Sequence, residues 1–208
     1  MFSDLDRIIY LDGDTLIFKD LYEMFNLSFN NNFILGYPFH KPSIMDYWRK
    51  YIINYINTGV LLYNIKEIRR SNLDIDLFSF TMNYNQKSFL ADQDTINYIY
   101  SDKIGFLPLK FGIYLYGNIK TAEKYYLNQL RIILNYTEIQ HAIDDPSLVH
   151  LCCCNPKIWI NGSKHEYNYN EICIKYQKIF YYYANKTKYY EEIYNMYMKY
   201  IFINKINI

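Results

Sequence analysis

The sequence predicts an α/β fold in which sheets and helices form layers. Short apolar runs alternate with segments of helical periodicity along much of the 208 residues, a pattern typical of sheets packed against helices. The clearest strand signal is the run 7–18, which is rich in β-branched and aromatic residues and reads as a buried strand. Asp12 and Asp14 interrupt this run, and the ends of buried strands are where α/β sheets usually bind ligands.

Asp12 and Asp14 are candidate metal ligands. Residues i and i+2 of an extended chain point to the same side, so the two carboxylates would converge, and Gly13 would allow a close backbone approach. Two uncompensated carboxylates repel each other, and a divalent cation with oxygen ligands removes that cost. A polar strand-to-turn transition is the alternative interpretation, because Asp and Gly are ordinary turn residues.

The other elements are predicted in chain order. An amphipathic helical turn at 19–25 precedes an Asn-rich break at 26–32. Further strands are predicted at 33–38, 60–63, 104–108 and 148–151. Further helices are predicted after Asn64 as N-cap, after Asp92-Gln-Asp94 with Asp94 as N-cap, and at 122–133, 171–184 and 188–203.

Composition limits the functional classes. The formal net charge is +1, which offers no excess of basic residues for general nucleic-acid binding. The 26 tyrosines accompany abundant Ile, Asn and Lys, so we interpret them as compositional bias. No apolar run approaches the roughly 20 residues that cross a bilayer, and the first residues lack the pattern of a secretory signal. We therefore expect a cytoplasmic protein.

The cysteines predict reduced thiols. Three of the four are consecutive, at Cys152, Cys153 and Cys154, and adjacent cysteines seldom form a disulfide framework. His150 beside them suggests a zinc site as an alternative, although tetrahedral zinc sites normally draw ligands from two separated pairs.

Residues 161–208 are predicted as a helical, Tyr- and Lys-rich tail that follows a catalytic domain at 1–160. Tyr and Lys mixed on a helix surface are found at membrane interfaces, and also on solvated helices packed on their own domain. Peripheral contact with the inner face of the membrane is therefore one of two interpretations.

Four motifs in this order resemble glycosyltransferase family 8, which includes glycogenin and bacterial lipopolysaccharide glucosyl- and galactosyltransferases. The resemblance covers about residues 4 to 160. The motifs are Tyr10-Leu-Asp-Gly-Asp-Thr15, Asn57-Thr-Gly-Val-Leu-Leu-Tyr-Asn64, Asp92-Gln-Asp94 with Leu107-Pro108, and His150 with Pro156-Lys-Ile-Trp159.

The resemblance implies a GT-A-type nucleotide-diphospho-sugar transferase fold and an enzyme that moves a hexose with retention of configuration. The donor would be UDP-glucose or UDP-galactose, and the acceptor a glycan or a lipopolysaccharide-type saccharide. Asp12, Asp14 and His150 would hold one Mn²⁺ or Mg²⁺ ion. Such an ion neutralises the charge that builds on the diphosphate as UDP leaves.

The remaining site residues also follow from the resemblance. Asn57, Gly59, Asp92 and Lys157 would bind the donor, with Lys157 placing a point charge on its phosphates. Asp92 and Gln93 would be the catalytic residues, Gln93 lying beneath the anomeric carbon. A neutral amide is a poor nucleophile, which favours attack on the same face over a covalent intermediate.

Two departures from the family pattern leave an alternative open. Cys153 or Cys154 stands where the family usually has a glycine after the metal-binding histidine, which would weaken donor binding. The family also places the first strands of the nucleotide-binding sheet before the metal motif, so we expect these strands to be lacking. The alternative is an inactive truncated member that binds no nucleotide sugar.

A phosphatase of the haloacid-dehalogenase type is a rival enzyme class, because it uses an Asp-x-Asp-Gly-Thr motif at a strand end. Here Gly13 falls between the carboxylates and Thr15 follows Asp14 directly. This displacement argues against the phosphatase.

Overall fold

The structure is a computed structural model that describes residues 4–39, 52, 54–72, 79, 92–113, 136–152 and 171–195. The strands within these ranges are β1 (Ile8–Leu11), β2 (Thr15–Ile17), β3 (Ile34–Pro38), β4 (Ile56–Tyr63), β5 (Ile104–Phe106), β6 (Phe111–Ile113) and β7 (Leu148–His150). The helices are α1 (Tyr22–Phe25), α2 (Ile65–Ser71), α3 (Asp92–Ile99), α4 (Tyr136–Asp144) and α5 (Glu171–Ala184). A further helical segment covers residues 190–195. This mixture of elements confirms the predicted α/β class.

The strands form two mixed sheets. The first has the order β1-β4-β3-β5, with β4 antiparallel to β1 and β3, and with β5 parallel to β3. The second has the order β2-β7-β6, with β2 antiparallel and β6 parallel to β7. Since β1 and β2 are consecutive but belong to different sheets, the turn between them lies where the two sheets meet.

Strand β4 separates two parts of the hydrophobic core. Successive side chains of a strand point to opposite faces. Val60 and Leu62 lie in one cluster with residues of β3, β6 and β7, while Leu61 lies in a second cluster with Ile68 of α2 and Ile96 of α3. The strand that carries Asn57 and Gly59 is therefore covered on both faces, and its polar residues need partners from the protein.

The predicted strand at 7–18 is wrong as a single buried element. It divides into β1 and β2, and Asp12 to Asp14 form the turn between them. Within the described part of the chain β1 lies at an edge of its sheet, and its Tyr10 side chain is not buried, being 46% exposed. The two carboxylates converge because the chain turns, and not because they alternate along an extended strand.

Two further placements differ from the prediction. Strand β4 begins at Ile56, so Asn57 and Gly59 lie inside it and not before it. Asp94 is the third residue of α3 and is buried, so it is not an N-cap. Its carboxylate accepts a hydrogen bond from the Tyr55 hydroxyl at 2.5 Å, which explains why an acidic residue is tolerated there.

Other elements agree with the sequence. Asn64 caps α2 by accepting a hydrogen bond from the backbone N–H of Glu67, and α5 has the predicted bounds 171–184. Strand β6 and helix α4 were not predicted, and the predicted helix at 188–203 starts at 190. The predicted helix at 122–133, Cys153, Cys154 and Lys157 lie outside the described residues.

The described part of the tail contacts the rest of the chain. The ring of Tyr176 in α5 lies 6.0 Å from the ring of Phe18, measured between centroids. None of the helices in the described ranges is both long and apolar enough to span a membrane. The division of the chain into 1–160 and 161–208 stays a prediction.

Candidate metal centre

The turn between β1 and β2 carries both acidic residues of the predicted metal site. The backbone N–H of Asp12 donates to the carbonyl of Gly59 at 2.8 Å, which ties the turn to β4. The hydroxyl of Thr15 donates to the carbonyl of Asp12 at 2.9 Å, which closes the turn on itself. These two contacts therefore set the backbone position of the turn at Asp12.

His150 reaches this turn through strand pairing. The antiparallel register of β2 and β7 places Thr15 opposite His150. Beyond the end of β7, the N–H of Leu151 donates to the carbonyl of Asp14 at 2.9 Å. The fold thus brings together an imidazole and a carboxylate that are 136 residues apart.

The ligand atoms of the three residues converge. His150 Nε2 lies 2.9 Å from Asp14 Oδ1 and 3.6 Å from Asp12 Oδ2, and one ligand atom of each residue lies within 4.8 Å of the others. The side chain of His150 is 2% exposed, that of Asp14 15% and that of Asp12 40%. Two carboxylate oxygens and one imidazole nitrogen that open toward solvent on one side fit a divalent cation such as Mn²⁺ or Mg²⁺.

The other ring nitrogen of His150 identifies the tautomer. His150 Nδ1 lies 3.1 Å from the amide oxygen of Asn57, and that same oxygen accepts the backbone N–H of Gly59 at 2.8 Å. An amide oxygen can only accept, so Nδ1 carries the hydrogen. In the neutral ring the lone pair of Nε2 therefore faces Asp12 and Asp14, as a metal ligand requires.

A proton competes for the same nitrogen. Burial favours the neutral ring of His150, but hydrogen bonds with Asp14 and Cys152, together with the electrostatic influence of both side chains, outweigh it and raise its pKa to about 9. Without metal, Asp14 therefore favours the protonated ring of His150 over the neutral one. A cation that binds here must displace that proton.

Asn57 joins the histidine to the helix that begins with Asp92. The amide nitrogen of Asn57 donates to Gln93 Oε1 at 3.0 Å, and the backbone N–H of Thr58 donates to the same oxygen at 3.3 Å. Gln93 Nε2 in turn donates to the hydroxyl of Tyr55 at 3.2 Å. Gln93 is 7% exposed, and these hydrogen bonds give its amide a defined orientation next to Asn57.

Asp92 lies on the exposed side of this arrangement. Its carboxylate accepts a hydrogen bond from the Thr58 hydroxyl at 3.3 Å. The Tyr10 hydroxyl donates to Asp12 Oδ1 at 2.9 Å. That hydrogen bond, the charge of Asp12, partial burial and the charge of Asp92 all raise the pKa of Tyr10. Asp92 is therefore close enough to influence the charge state of Tyr10, whose hydroxyl contacts the candidate ligand Asp12.

The structure brings most of the predicted site residues together. The ligand atoms of Asp12, Asp14 and His150 converge directly. Asn57 is hydrogen-bonded to His150 and to Gln93, and Gly59 is hydrogen-bonded to the turn at Asp12. Thr58 links Asp92 to the same strand. The predicted donor residue Lys157 lies outside the described residues.

Sequence reasoning missed several polar partners. Tyr10, Tyr37 and Tyr55 contact Asp12, His150 and Gln93 respectively, whereas the composition alone indicates only a bias toward tyrosine. Asn97 carried a usable signal, because it lies four residues after Gln93 on α3 and donates to its carbonyl at 2.8 Å. Tyr37 carried none, since it is 113 residues from His150.

The family model described as glycosyl transferase family 8 matches residues 1–162. The chain belongs to glycosyl transferase family 8. The matched region includes every residue predicted for the site.

This family 8 chain is similar to General stress protein A of Bacillus subtilis (strain 168), with 23% identity over 176 residues, 79% of this chain and 57% of that protein. Among solved structures it is similar to the WbbM bifunctional glycosyltransferase, at a TM-score of 0.63, 19% identity, 93% of this chain and 35% of that one. It is also similar to the galactosyltransferase LgtC in complex with donor and acceptor sugar analogues, at a TM-score of 0.55, 17% identity, 85% of this chain and 62% of that one. These likenesses show the predicted GT-A-type fold.

The chain spans only part of these proteins. It covers a little over half of General stress protein A, and 35% and 62% of the two solved chains. The family and the fold are thus shown for the part of these proteins that the chain spans.

Proposed function

We propose that this chain acts as a retaining hexosyltransferase that moves glucose or galactose from UDP-glucose or UDP-galactose to a glycan or a lipopolysaccharide-type acceptor. Its family supports transfer of a sugar, and the LgtC neighbour was solved with donor and acceptor sugar analogues. The observation that carries the proposal is the convergence of Asp12, Asp14 and His150 within 4.8 Å.

We propose that these three residues hold Mn²⁺ or Mg²⁺. When bound, the ion would supply positive charge to the diphosphate of the donor as UDP departs. Burial of His150 and hydrogen bonding of its ring by Asn57 support this role, because they orient the imidazole before any ligand arrives. Lys157 is proposed to add a second positive charge at the phosphates.

The residues around the ion are proposed to act on the sugar. Asp92 and Asn57 would bind hydroxyl groups of the donor sugar, and Asp92 is exposed and lies near the turn that carries Asp12. Gly59 would keep the backbone of β4 close to the ion. Gln93 is proposed to lie beneath the anomeric carbon. Hydrogen bonds from Asn57 and Thr58 and to Tyr55 support a fixed orientation of its amide. A neutral amide is a poor nucleophile, so this arrangement suits attack by the acceptor on the same face of the sugar better than a covalent intermediate.

The proposed setting is the cytoplasm, with peripheral contact on the inner face of the membrane. The exposed rings of Tyr182, Tyr183 and Tyr189 in and after α5 support that contact.

Thermal unfolding of the full chain with Mn²⁺ and UDP, separately and together, tests the proposal. A ligand that binds only the native state raises the melting temperature. We expect a rise that requires both ligands, followed in turnover assays by release of UDP from one of the two UDP-hexoses and a product with retained anomeric configuration. Asp14→Ala should abolish the rise and the turnover while leaving the fold largely intact.

Asp102→Ala is the matched control, because Asp102 is exposed and pairs only distantly with Lys103 at 3.7 Å. It should respond to Mn²⁺ and UDP as the wild type does. A wild-type chain indifferent to both ligands would favour the inactive family member that binds no nucleotide sugar. Transfer that persists in Asp14→Ala would overturn the metal assignment.

A further inference from the structure

Tyr37 on β3 is one of the most completely buried large side chains of the described residues, with 0% of its surface exposed. Its ring occupies space that Gly112 on β6 leaves free. A Cβ at Gly112 would lie 2.5 Å from Cδ1 of Tyr37, and the φ of +139° at Gly112 also favours glycine. The fold thus accommodates a large aromatic ring at this position beside the metal centre.

The hydroxyl of Tyr37 points at the metal-binding histidine. It lies 2.9 Å from His150 Nδ1 and 3.3 Å from Cys152 Sγ. The two rings meet edge to face, with centroids 6.0 Å apart and planes at 77°. A buried phenol without hydrogen-bond partners would be costly, so these contacts determine where the hydroxyl can lie.

The direction of these hydrogen bonds follows from Asn57. Its amide oxygen only accepts, so His150 Nδ1 is a donor. The oxygen of Tyr37 must then accept from the same N–H, and its own hydrogen is free to point to Cys152 Sγ. Tyr37 and Asn57 therefore both accept the hydrogen on His150 Nδ1.

We propose that Tyr37 is a positioning residue that, with Asn57, holds the His150 ring with Nδ1 protonated and Nε2 directed at Asp12 and Asp14, and so strengthens binding of a divalent cation. The inference rests on the metal site of the proposed function. Partners of the second ring nitrogen typically change metal affinity by about 10–100-fold when they are lost. Because Asn57 remains, we expect a change near the lower end of that range.

The test is Mn²⁺ titration of the full chain, followed by electron paramagnetic resonance, for the wild type and Tyr37→Phe. Phenylalanine keeps the ring and removes only the hydroxyl. We expect the dissociation constant to rise about tenfold, measured well below the melting temperature of both proteins. The matched control is Tyr176→Phe, because Tyr176 is equally buried and its hydroxyl has no hydrogen-bond partner among the described residues. It should bind Mn²⁺ as the wild type does.

A second measurement needs no variant. In the wild type loaded with Mg²⁺, which is diamagnetic, nitrogen NMR should show the hydrogen of the His150 ring on Nδ1. A hydrogen on Nε2 would overturn the inference, as would a Tyr37→Phe chain that binds Mn²⁺ as tightly as the wild type. Wild-type protein that binds no Mn²⁺ would instead overturn the metal site itself, and the inference with it.

Discussion

At Gly59 the backbone of β4 passes directly beneath the imidazole of His150. A Cβ there would lie 2.0 Å from His150 Cε1 and 2.7 Å from Asp12 Oδ2, distances that real Cβ atoms do not reach. The absence of a side chain is therefore what allows a histidine from one sheet and a carboxylate from the turn to meet over a strand of the other sheet. The φ of Gly59 is not in the left-handed region, so the lack of space for a Cβ is the reason that glycine is required here.

Gly59→Ala should displace the imidazole and weaken Mn²⁺ binding by about tenfold or more, with a loss of about 2 kcal/mol in the free energy of unfolding from overpacking. Mn²⁺ titration and urea unfolding measure the two effects. Gly13→Ala is the control in the same turn, since a Cβ at Gly13 meets nothing within 4 Å. Equal Mn²⁺ affinities in the two variants would contradict the steric argument.

At the level of elements, β4 and α3 are joined by polar groups that satisfy one another. Asn97, 0% exposed, accepts the N–H of Ile56 at 2.7 Å and donates to its carbonyl at 2.8 Å. With the Gln93 and Asp94 contacts, these bonds explain how a helix start rich in Asp, Gln and Asn can be buried. The same bonds place α3 so that Asp92 and Gln93 lie beside the strand that carries Asn57.

Helix α5 is attached to the rest of the chain by an aromatic contact. Tyr176 is 1% exposed and packs near Phe18, which directly follows β2. Burial, with a smaller influence from the charge of Asp144, raises the pKa of Tyr176 to about 12. The described part of the tail thus packs against the residue that follows β2.

Tyr176→Ala should lower the free energy of unfolding of the full chain by about 3 kcal/mol, because a buried aromatic side chain is deleted. Urea unfolding followed by circular dichroism measures this. Tyr182→Ala on the same helix is the control, because Tyr182 is 59% exposed. If the tail were an independent appendage, the main unfolding transition would be the same in both variants.

At the level of the whole molecule, the candidate metal centre lies where the two sheets meet, with its candidate ligands on the turn between β1 and β2 and at the end of β7. The surface of the tail is a separate feature. Tyr182, Tyr183 and Tyr189 are exposed beside lysines, and Lys186 lies 4.1 Å from the centre of the Tyr182 ring. Rings and cations together favour the boundary of an anionic membrane over a neutral one.

The full chain should therefore sediment with vesicles of anionic phospholipid, less so at high salt, and not with vesicles of zwitterionic lipid alone. Replacing Tyr182 and Tyr183 by serine should reduce the bound fraction several-fold without changing the melting temperature. Replacing the exposed Tyr22, which is far from the tail in sequence and 74% exposed, provides the control. If the wild type and both variants bound vesicles equally, or if the wild type did not bind, these tyrosines would not be a membrane contact. The tail would then be interpreted as a solvated helix.

The sequence alone determined the fold class, the family and the candidate metal ligands. Local signals sufficed for the fold class, because apolar runs and the cap at Asn64 act over a few positions. The family and the inclusion of His150 among the ligands came from the resemblance of four ordered motifs to a known family. The same local signals misjudged the setting of Asp12, Asn57 and Asp94. Whether a polar residue ends an element or lies inside it depends on partners that are distant in the chain.

Only the tertiary structure decided which groups surround those ligands. The pairing of β2 with β7 brings His150 to Asp14, and the glycine at position 59 makes room for the ring. Tyr37 meets His150 across 113 residues, a contact that exists only after two sheets have packed. Long-range contacts of this kind depend on register and packing of the whole chain, and no short stretch of sequence contains them.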